Sequence, residues 1–531
     1  MKGDEDKESL RHRALFYDTL GQNKTFAPNG VLPYARIDPV NMTYLYSLIP
    51  TLAFYGLSFF APNNKVFVVL FVLYGLVMWM IHKRWKNTLL FAYIASLPLA
   101  AGKKIPFDLV SFREFNLLTF RPYGISADVI VTVGDACVLL MAFVILQDIF
   151  ISRAWAKYRD TMATGLFFFF TASVVATTFG SLRPEISYLH TLFLLKPLIV
   201  YWYLIHQVRL AAVYRHGLYI IVAALFLESI ITLMQVIKQG PIGSVLELAP
   251  DYIPYDTSSD SGQIFRPVGT FYHANTLAHF LLPLLFFILP FLFISIPGIH
   301  SPMVLSAGVV GLGTFFLTQS RSAWISFFVG FIVYLALVEK VWRLPLVLTK
   351  EAKRVISWCI VPILIVTLVF VVPRIVRTSY TLDRYGSFQT RILLLEEAGM
   401  AAREHPVFGV GLEMDLFFMY LRSIHRRVTN GVVFFFPEPV HNGYMRLFLQ
   451  VGLLGTAGFI ATGMLIAQLM RKQARVSKTT AYRHIIAGTI GGVTAIAVNG
   501  TMQPLVPNLH DILLFIILSG ACYFHKKSPI I

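Results

Sequence analysis

Long apolar runs alternate with short polar segments along almost the whole chain. A helix needs about 20 apolar residues to cross the hydrocarbon core of a bilayer, and runs near that length recur here many times. The pattern predicts about 12 to 14 membrane spans; the lower number applies if the short third run and the aromatic segment 105–124 lie in the membrane interface. The predicted spans are residues 43–61, 65–82, 88–101, 127–150, 161–179, 189–207, 217–237, 275–296, 301–318, 321–338, 355–373, 443–468, 483–500 and 510–524.

The composition also favours a membrane protein. Of 531 residues, 56% are hydrophobic and only 14% are charged, whereas soluble domains carry about 25% charged residues. We therefore expect an all-α integral membrane protein, a polytopic helix bundle, rather than several soluble domains. All three cysteines lie inside apolar runs without a CxxC spacing, which disfavours a disulfide framework and a zinc site. Residues 1–42 are predicted to be a cytoplasmic segment that is too polar for a cleavable signal peptide.

The net charge of +17 reflects membrane orientation rather than nucleic-acid binding. Twenty of the 45 Lys and Arg residues fall in short loops after even-numbered predicted spans, and the positive-inside rule then places both termini in the cytoplasm. The loop after the third span, which carries Lys103, Lys104, Arg113 and Arg121, does not follow this pattern. The basic loops are 83–86, 153–159, 209–215, 340–354, 471–483 and 526–527.

Two long loops, 239–274 and 374–440, are predicted on the extracytoplasmic side. The second contains arginines but no lysine. Arginine suits bidentate contact with phosphate or carboxylate better than lysine does. The alternative is that these arginines pair with acidic residues of the same loop. We expect most of them to be structural and two or three to contact a ligand.

Three short segments precede spans that descend from the outer face: 266–275, 318–324 and 439–444. Each offers a predicted helix cap: Asn275 in the first, Ser320 or Ser322 in the second, and Asn442 in the third. Three helix N-termini would then point free N–H groups towards one outer surface. A helix N-terminus carries about half a positive charge and readily binds phosphate.

Candidate chemistry lies beside these helix ends. Arg266 and Arg321 could neutralise a pyrophosphate leaving group, and His441 could take a proton from an attacking hydroxyl. Glu413 and Asp415 are the less favoured alternative, a metal-binding pair.

Three further charges, Asp135, Lys196 and Glu228, lie inside predicted spans. Intramembrane charges are often functional, but a mutually neutralising structural cluster is the favoured interpretation here.

The ordered set of motifs RPVGTFYHAN (266–275), TQSRSAW (318–324) and PVHNGYMRLFLQVGLLGTAGF (439–459) resembles the O-antigen ligase and polymerase superfamily of bacterial envelope glycan assembly. The segment RILLLEEAGMAAREHPVFGVGL (391–412) is similar to the family's loop ahead of its histidine. The resemblance covers about residues 262–460. It implies a membrane glycosyltransferase of the GT-C type whose donor is a glycan on undecaprenyl pyrophosphate, working without a cofactor or metal.

By motif position, the resemblance assigns Arg266 and Arg321 to the pyrophosphate and His441 to the base. Further candidates for donor binding are Arg391, Asn275, Ser320 and Asn442. The chain is longer than typical ligases by about two spans, and its outer loop carries three consecutive phenylalanines, 434–436. Both departures leave the acceptor open.

The expected organisation is a cytoplasmic segment 1–42, an N-terminal bundle 43–261, a catalytic region 262–460 with the outer loop 374–440, and C-terminal helices 461–531. The expected partners are the lipid-linked donor, a lipid, glycan or protein acceptor and the lipid bilayer of the inner membrane, with no nucleic acid. A polymerase or a protein O-oligosaccharyltransferase would share the motifs. A lipid-linked oligosaccharide flippase is the alternative of another class, although no internal repeat supports it.

Overall fold

Helices dominate the structure, a computed structural model. It describes residues 45–99, 102–105, 108–110, 125–126, 129–159, 161–208, 210–247, 265–271, 273–296, 299–366, 387–415, 418–419, 440–476 and 480–503. These residues all belong to one compact unit, 43–531. The α-helices are α1 Leu45–Phe59, α2 Asn64–His82, α3 Trp85–Ser96, α4 Val133–Phe150, α5 Thr161–Gly180, α6 Pro184–Phe193, α7 Leu195–Gln207, α8 Leu210–Lys238, α9 Ala274–Ile288, α10 Ser301–Leu317, α11 Arg321–Ala336, α12 Lys350–Val366, α13 Ser387–Glu404, α14 Gly443–Val476 and α15 Thr480–Gly500.

The predicted fold class is confirmed. Within the described residues, eight helices are long and apolar enough to cross a membrane, and two shorter apolar helices, α1 and α10, accompany them. Each of the first thirteen predicted spans overlaps at least one helix. The fourteenth, 510–524, and much of the outer loop lie outside the described residues. The protein is therefore an all-α polytopic membrane protein.

Two predicted boundaries near residue 100 are wrong. The third span ends at Ser96 rather than at 101, and the fourth begins at Val133 rather than at 127. Between them lie four short strands, β1 Gly102–Ile105, β2 Asp108–Val110, β3 Ile125–Ser126 and β4 Val129–Thr132. β1 pairs antiparallel with β4, and β2 with β3.

The sequence of β4 explains the late start of α4. Val-Ile-Val-Thr is β-branched throughout, and such residues favour strands over helices. Thr132 and Asp135 then form a capping box, in which the Thr132 N–H donates to the Asp135 carboxylate at 2.7 Å. This box begins α4 at the next residue.

Two antiparallel helix pairs set the geometry of the bundle. Tyr334 near the end of α11 contacts His484 near the start of α15, while Ser322 at the start of α11 contacts Gln503 just after α15. Likewise the Thr462 hydroxyl of α14 donates to the Gly165 carbonyl of α5 at 2.8 Å. α9 packs on α15 as well, with His279 near its N-terminus against Asn499 near the C-terminus of α15.

As a result, the N-termini of α9, α11 and α14 lie beside the C-terminus of α15, and we call this region the motif end of the bundle. The Tyr444 hydroxyl, in the first turn of α14, donates to the Ala497 carbonyl in the last turn of α15 at 2.8 Å. The three motifs of the sequence thus begin three helices that meet one end of a fourth.

α14 is broken near its N-terminus at Gly452, where φ is 61° and ψ is −165°. The backbone groups freed by this break are satisfied by the segment 406–411. The Val410 and Gly411 N–H groups donate to the carbonyls of residues 449 and 450, both at 2.9 Å. In return, the N–H groups of residues 453 and 454 donate to the carbonyls of residues 406 and 407. Because unpaired backbone groups are costly within a membrane, the segment and the break require one another.

We predict that Gly409→Ala will destabilise the protein. Gly409 has a φ of 69°, and a Cβ there would lie 2.5 Å from the Gln450 carbonyl carbon. The strain of a left-handed residue is about 1–2 kcal/mol, and the backbone overlap adds to it, so a loss of ~3 kcal/mol or more is expected. The measurement is the apparent melting temperature of the purified protein in detergent.

The matched control is Gly463→Ala in α14, because a Cβ at Gly463 has nothing within 4 Å. Its melting temperature should equal or slightly exceed that of the wild type, since alanine favours helix more than glycine does. Equal melting temperatures for the two variants would contradict the proposed fit of 406–411 into the break.

Candidate functional site

The loop that carries Arg266 is held by two buried polar side chains of α8. The Gln235 side-chain oxygen accepts from the Val268 and Gly269 N–H groups at 3.0 and 2.9 Å. Two turns earlier in α8, the Glu228 carboxylate accepts from the Thr270 N–H at 3.1 Å and from the Thr270 hydroxyl at 2.7 Å. Both α8 side chains are fully buried. The course of the loop is therefore fixed from within the membrane domain.

Arg266 joins the first two motifs. Its Nε and Nη2 groups donate to the Thr318 carbonyl at 3.2 and 3.1 Å, and Nη2 also donates to the Asn275 side-chain oxygen at 2.8 Å. Thr318 ends α10 and lies three residues before Arg321, the first residue of α11. The planar guanidinium is therefore oriented beside the N-terminus of α11.

The predicted helix caps are only partly correct. Asn442 precedes α14 and accepts from the Met445 N–H at 2.9 Å, as expected of a cap. Ser320 precedes α11, but its side chain makes no capping hydrogen bond. Asn275 does not cap α9, because His273 does so by accepting from the Asn275 N–H at 3.0 Å. The Asn275 side chain is thereby left to accept from Arg266.

His441 lies on another element of the motif end, and Arg391 lies on α13. His441 lies in the turn before α14, which reaches α15 through Tyr444. Arg391 lies near the start of α13, a helix that packs against α14. The hydrogen bonds described above connect Arg266, Asn275 and the Thr318 turn directly, whereas His441 is connected to that turn through α15.

Glu413 and Asp415, the less favoured metal-binding pair, are both engaged by an arginine. Arg446 of α14 donates Nε to Asp415 at 2.8 Å and Nη2 to Glu413 at 2.8 Å. Gln450 donates a further hydrogen bond to Asp415 at 2.7 Å. Asp415 and Arg446 are buried, so these carboxylates balance a buried cation and fix the segment 411–415 against α14.

The intramembrane charges do not form one cluster. Lys196, in the first turn of α7, forms an ion pair with Asp135 of α4, and its Nζ lies 3.9 Å from the centre of the Phe193 ring. Glu228 lies elsewhere and binds Thr270. The expected mutual neutralisation therefore holds for Asp135 and Lys196, but Glu228 instead supports the loop of Arg266.

A family model described as O-antigen ligase matches residues 306–460. Over these residues, less than a third of the chain, the sequence is similar to an O-antigen ligase domain. The match includes the Thr318 turn, Arg321, Arg391 and His441, whereas Arg266 and Asn275 lie ahead of it. No curated protein matches the chain. The domain indicates a multi-pass membrane enzyme of the glycosyl-transferring kind, of ligase or polymerase type, in polysaccharide biosynthesis.

Several polar residues at the motif end were missed by the sequence analysis. His279, Asn499 and Gln503 all lie outside the matched O-antigen ligase domain and are buried among the ends of α9, α11 and α15. A signal was present, since His279 follows Asn275 by four residues and Asn499 interrupts an apolar run. Residues four apart share one helix face.

Proposed function

We propose that this protein is a glycosyltransferase that moves a glycan from undecaprenyl pyrophosphate to an acceptor hydroxyl on the extracytoplasmic face of the inner membrane. The observation that carries the proposal is the set of hydrogen bonds from Arg266 to the Thr318 carbonyl and to Asn275. These bonds bring the first arginine motif to the turn that begins the second.

The two arginines suit an anionic leaving group. Arg321 is the first residue of α11, where a cation is disfavoured by the helix dipole by about 0.3–1 kcal/mol. A cation at this position therefore gains from an anion nearby, and a bound diphosphate would supply one. Arg266 bonds the Thr318 carbonyl, three residues before Arg321 in the chain, and offers a second guanidinium in the same region.

Arg266 also has a structural role. The Thr318 carbonyl closes the C-terminus of α10, which carries partial negative charge, and a cation there stabilises the helix. This role fixes the plane of the Arg266 guanidinium. The proposed contact with phosphate must therefore be made in that orientation. Tests of Arg266 must therefore separate folding from transfer.

The proposed reaction is a displacement at the anomeric carbon of the donor. The acceptor oxygen forms the new glycosidic bond while the bond between the anomeric carbon and the pyrophosphate oxygen breaks. The pyrophosphate takes the electron pair, and Arg266 and Arg321 neutralise its growing charge. His441 takes the proton of the acceptor hydroxyl. Arg391, Ser320 and Asn442 are proposed to hold the donor nearby.

The acceptor separates a ligase from a polymerase or a protein O-oligosaccharyltransferase. The test uses purified protein in lipid nanodiscs with an undecaprenyl-pyrophosphate glycan and three acceptor classes: lipid-A core, growing glycan and a protein with accessible hydroxyls. We expect transfer to one class and unchanged transfer in the presence of a metal chelator. A requirement for added metal would refute the arginine mechanism.

The flippase alternative is tested by the same protein in sealed vesicles. A transporter would move the fluorescently labelled lipid-linked glycan between leaflets without releasing undecaprenyl pyrophosphate. An enzyme releases that product only when an acceptor is present.

A further inference from the structure

Polar residues of the Arg266 loop, the Thr318 turn, α9, α11 and α15 follow one another around the motif end, and we call them the ring. Hydrogen bonds join them, except that Asn275 and His279, and likewise Asn499 and Gln503, are related only by their spacing in the chain. The Arg266 guanidinium donates hydrogen bonds to the Thr318 carbonyl and to the Asn275 side-chain oxygen. The ring continues from the Thr318 turn through Ser320 and Ser322, whose hydroxyls lie 3.4 Å apart, to Gln503 at 3.3 Å. Asn499 precedes Gln503 by four residues and bonds His279 at 2.8 Å, and His279 follows Asn275 by four.

The ring has two chemically different sides. Arg266, which bonds the Thr318 carbonyl, and Arg321, which follows the Thr318 turn, make one side cationic. The other side, formed by His279, Asn499 and Gln503, carries only an imidazole and two amides. A diphosphate suits the first side. The second suits a neutral ligand with several hydrogen-bonding groups.

Among the described residues, two buried amide oxygens of the ring have no hydrogen-bond partner, one on the neutral side and one in the Thr318 turn. Asn499 has 0% exposure, and its Oδ1 atom has no hydrogen-bond partner within the part of the chain that the structure describes. Whichever way its amide is oriented, one end bonds His279 and the other end remains unsatisfied. Gln319 in the Thr318 turn is also buried, and its Oε1 atom is likewise unsatisfied among the described residues.

A buried amide oxygen without a hydrogen-bond partner lowers the stability of the folded protein, unless a ligand supplies the partner. An unsatisfied buried amide costs about 1–3 kcal/mol, and native proteins pair nearly all such groups. Helix packing alone would be better served by an apolar side chain at the position of Asn499. A ligand with hydroxyl groups would supply donors to both amide oxygens.

We propose that His279, Asn499 and Gln503 bind hydroxyl groups of the sugar attached directly to the pyrophosphate. This inference rests on the proposed function, because it takes the diphosphate to lie on the arginine side. The first sugar is bonded directly to the diphosphate, so it must lie next to the arginine side of the ring. The neutral side is the part of the ring that adjoins the arginine side. The three residues then select the first sugar of the donor, independently of the acceptor.

The experiment compares the binding of two lipids to the intact protein in nanodiscs: undecaprenyl pyrophosphate with and without its glycan. We expect the wild type to bind the glycan-bearing lipid more tightly. Asn499→Leu should weaken binding of that lipid by roughly tenfold, the equivalent of one or two neutral hydrogen bonds, and should change binding of the bare lipid less than about twofold. Gln503→Ala should act in the same direction, which keeps the test available if the first variant folds poorly.

The matched control is Thr494→Ala, a polar residue of α15 whose hydroxyl bonds within its own helix. It should leave both affinities unchanged. Equal weakening of both lipids by Asn499→Leu would show a structural clamp and overturn the inference. Equal affinity of the wild type for the two lipids would also overturn it.

Arg266→Ala distinguishes this inference from the proposed function. It should weaken both lipids, because both carry the diphosphate. If it weakens neither, the proposed function fails. If it weakens both while the two ring variants have no effect on the glycan-bearing lipid, only the sugar subsite is wrong.

Discussion

Replacing Arg266 or Arg321 by alanine will lower glycan transfer by about 10²–10³-fold each, because each removes a fixed positive charge from the departing pyrophosphate. Arg266→Lys should recover only part of the loss. Lysine keeps the charge but cannot donate to the Thr318 carbonyl and Asn275 from one rigid plane. The measurement is the initial rate of transfer in nanodiscs at saturating acceptor, together with the melting temperature of each variant.

Arg183→Ala is the matched control. Arg183 lies just before α6, is exposed and pairs with Glu185, so its loss should leave both rate and stability nearly unchanged. Alanine variants of Arg266 and Arg321 that fold normally and transfer at more than a tenth of the wild-type rate would contradict the assignment.

His441→Ala will reduce transfer by about 10²–10⁴-fold, the usual contribution of a general base. The reason is that the acceptor hydroxyl must lose its proton as it attacks, and no other imidazole lies in the turn before α14. Donor binding should be almost unaffected, since the imidazole acts on the acceptor. Added free imidazole should restore part of the rate if the variant has lost a base rather than its fold.

His405→Ala provides the comparison for this variant. His405 lies at the start of the segment that fills the α14 break, and its ring contacts Phe418 at a centroid distance of 5.0 Å. Its loss should affect transfer only slightly. A similar loss of rate for both histidine variants, without rescue by imidazole, would indicate that His441 has a structural role.

The apolar pattern predicted the helices well because burial in lipid depends mainly on side-chain hydrophobicity. It failed where backbone hydrogen bonding decides the structure. The run Val-Ile-Val-Thr (129–132) was assigned to the fourth span, yet its β-branched residues pair as a strand. The α14 break was also hidden, since residues 406–411 satisfy it from a distant part of the chain and leave no trace in the periodicity of 443–468.

The candidate site was predictable where motifs supplied both charge and a helix start. The structure joins Arg266 to the Thr318 turn by hydrogen bonds, a contact that the spacing of the two motifs in the sequence does not require. The role of Asn275 was mistaken, because a histidine two residues earlier can cap a helix through Nδ1. Asn499 was not predicted, because one polar residue in an apolar run is compatible with ordinary helix packing. Its hydrogen bond to His279 on another helix is visible only in the structure.

The exchange of hydrogen bonds between 406–411 and the α14 break limits how these two parts of the chain can diverge or be engineered. A chimera that takes residues 374–440 from another protein must take the α14 break from that protein as well. Otherwise backbone N–H and carbonyl groups would be left unpaired within the membrane. We therefore expect grafted junctions to be tolerated poorly within residues 406–411 and around Gly452.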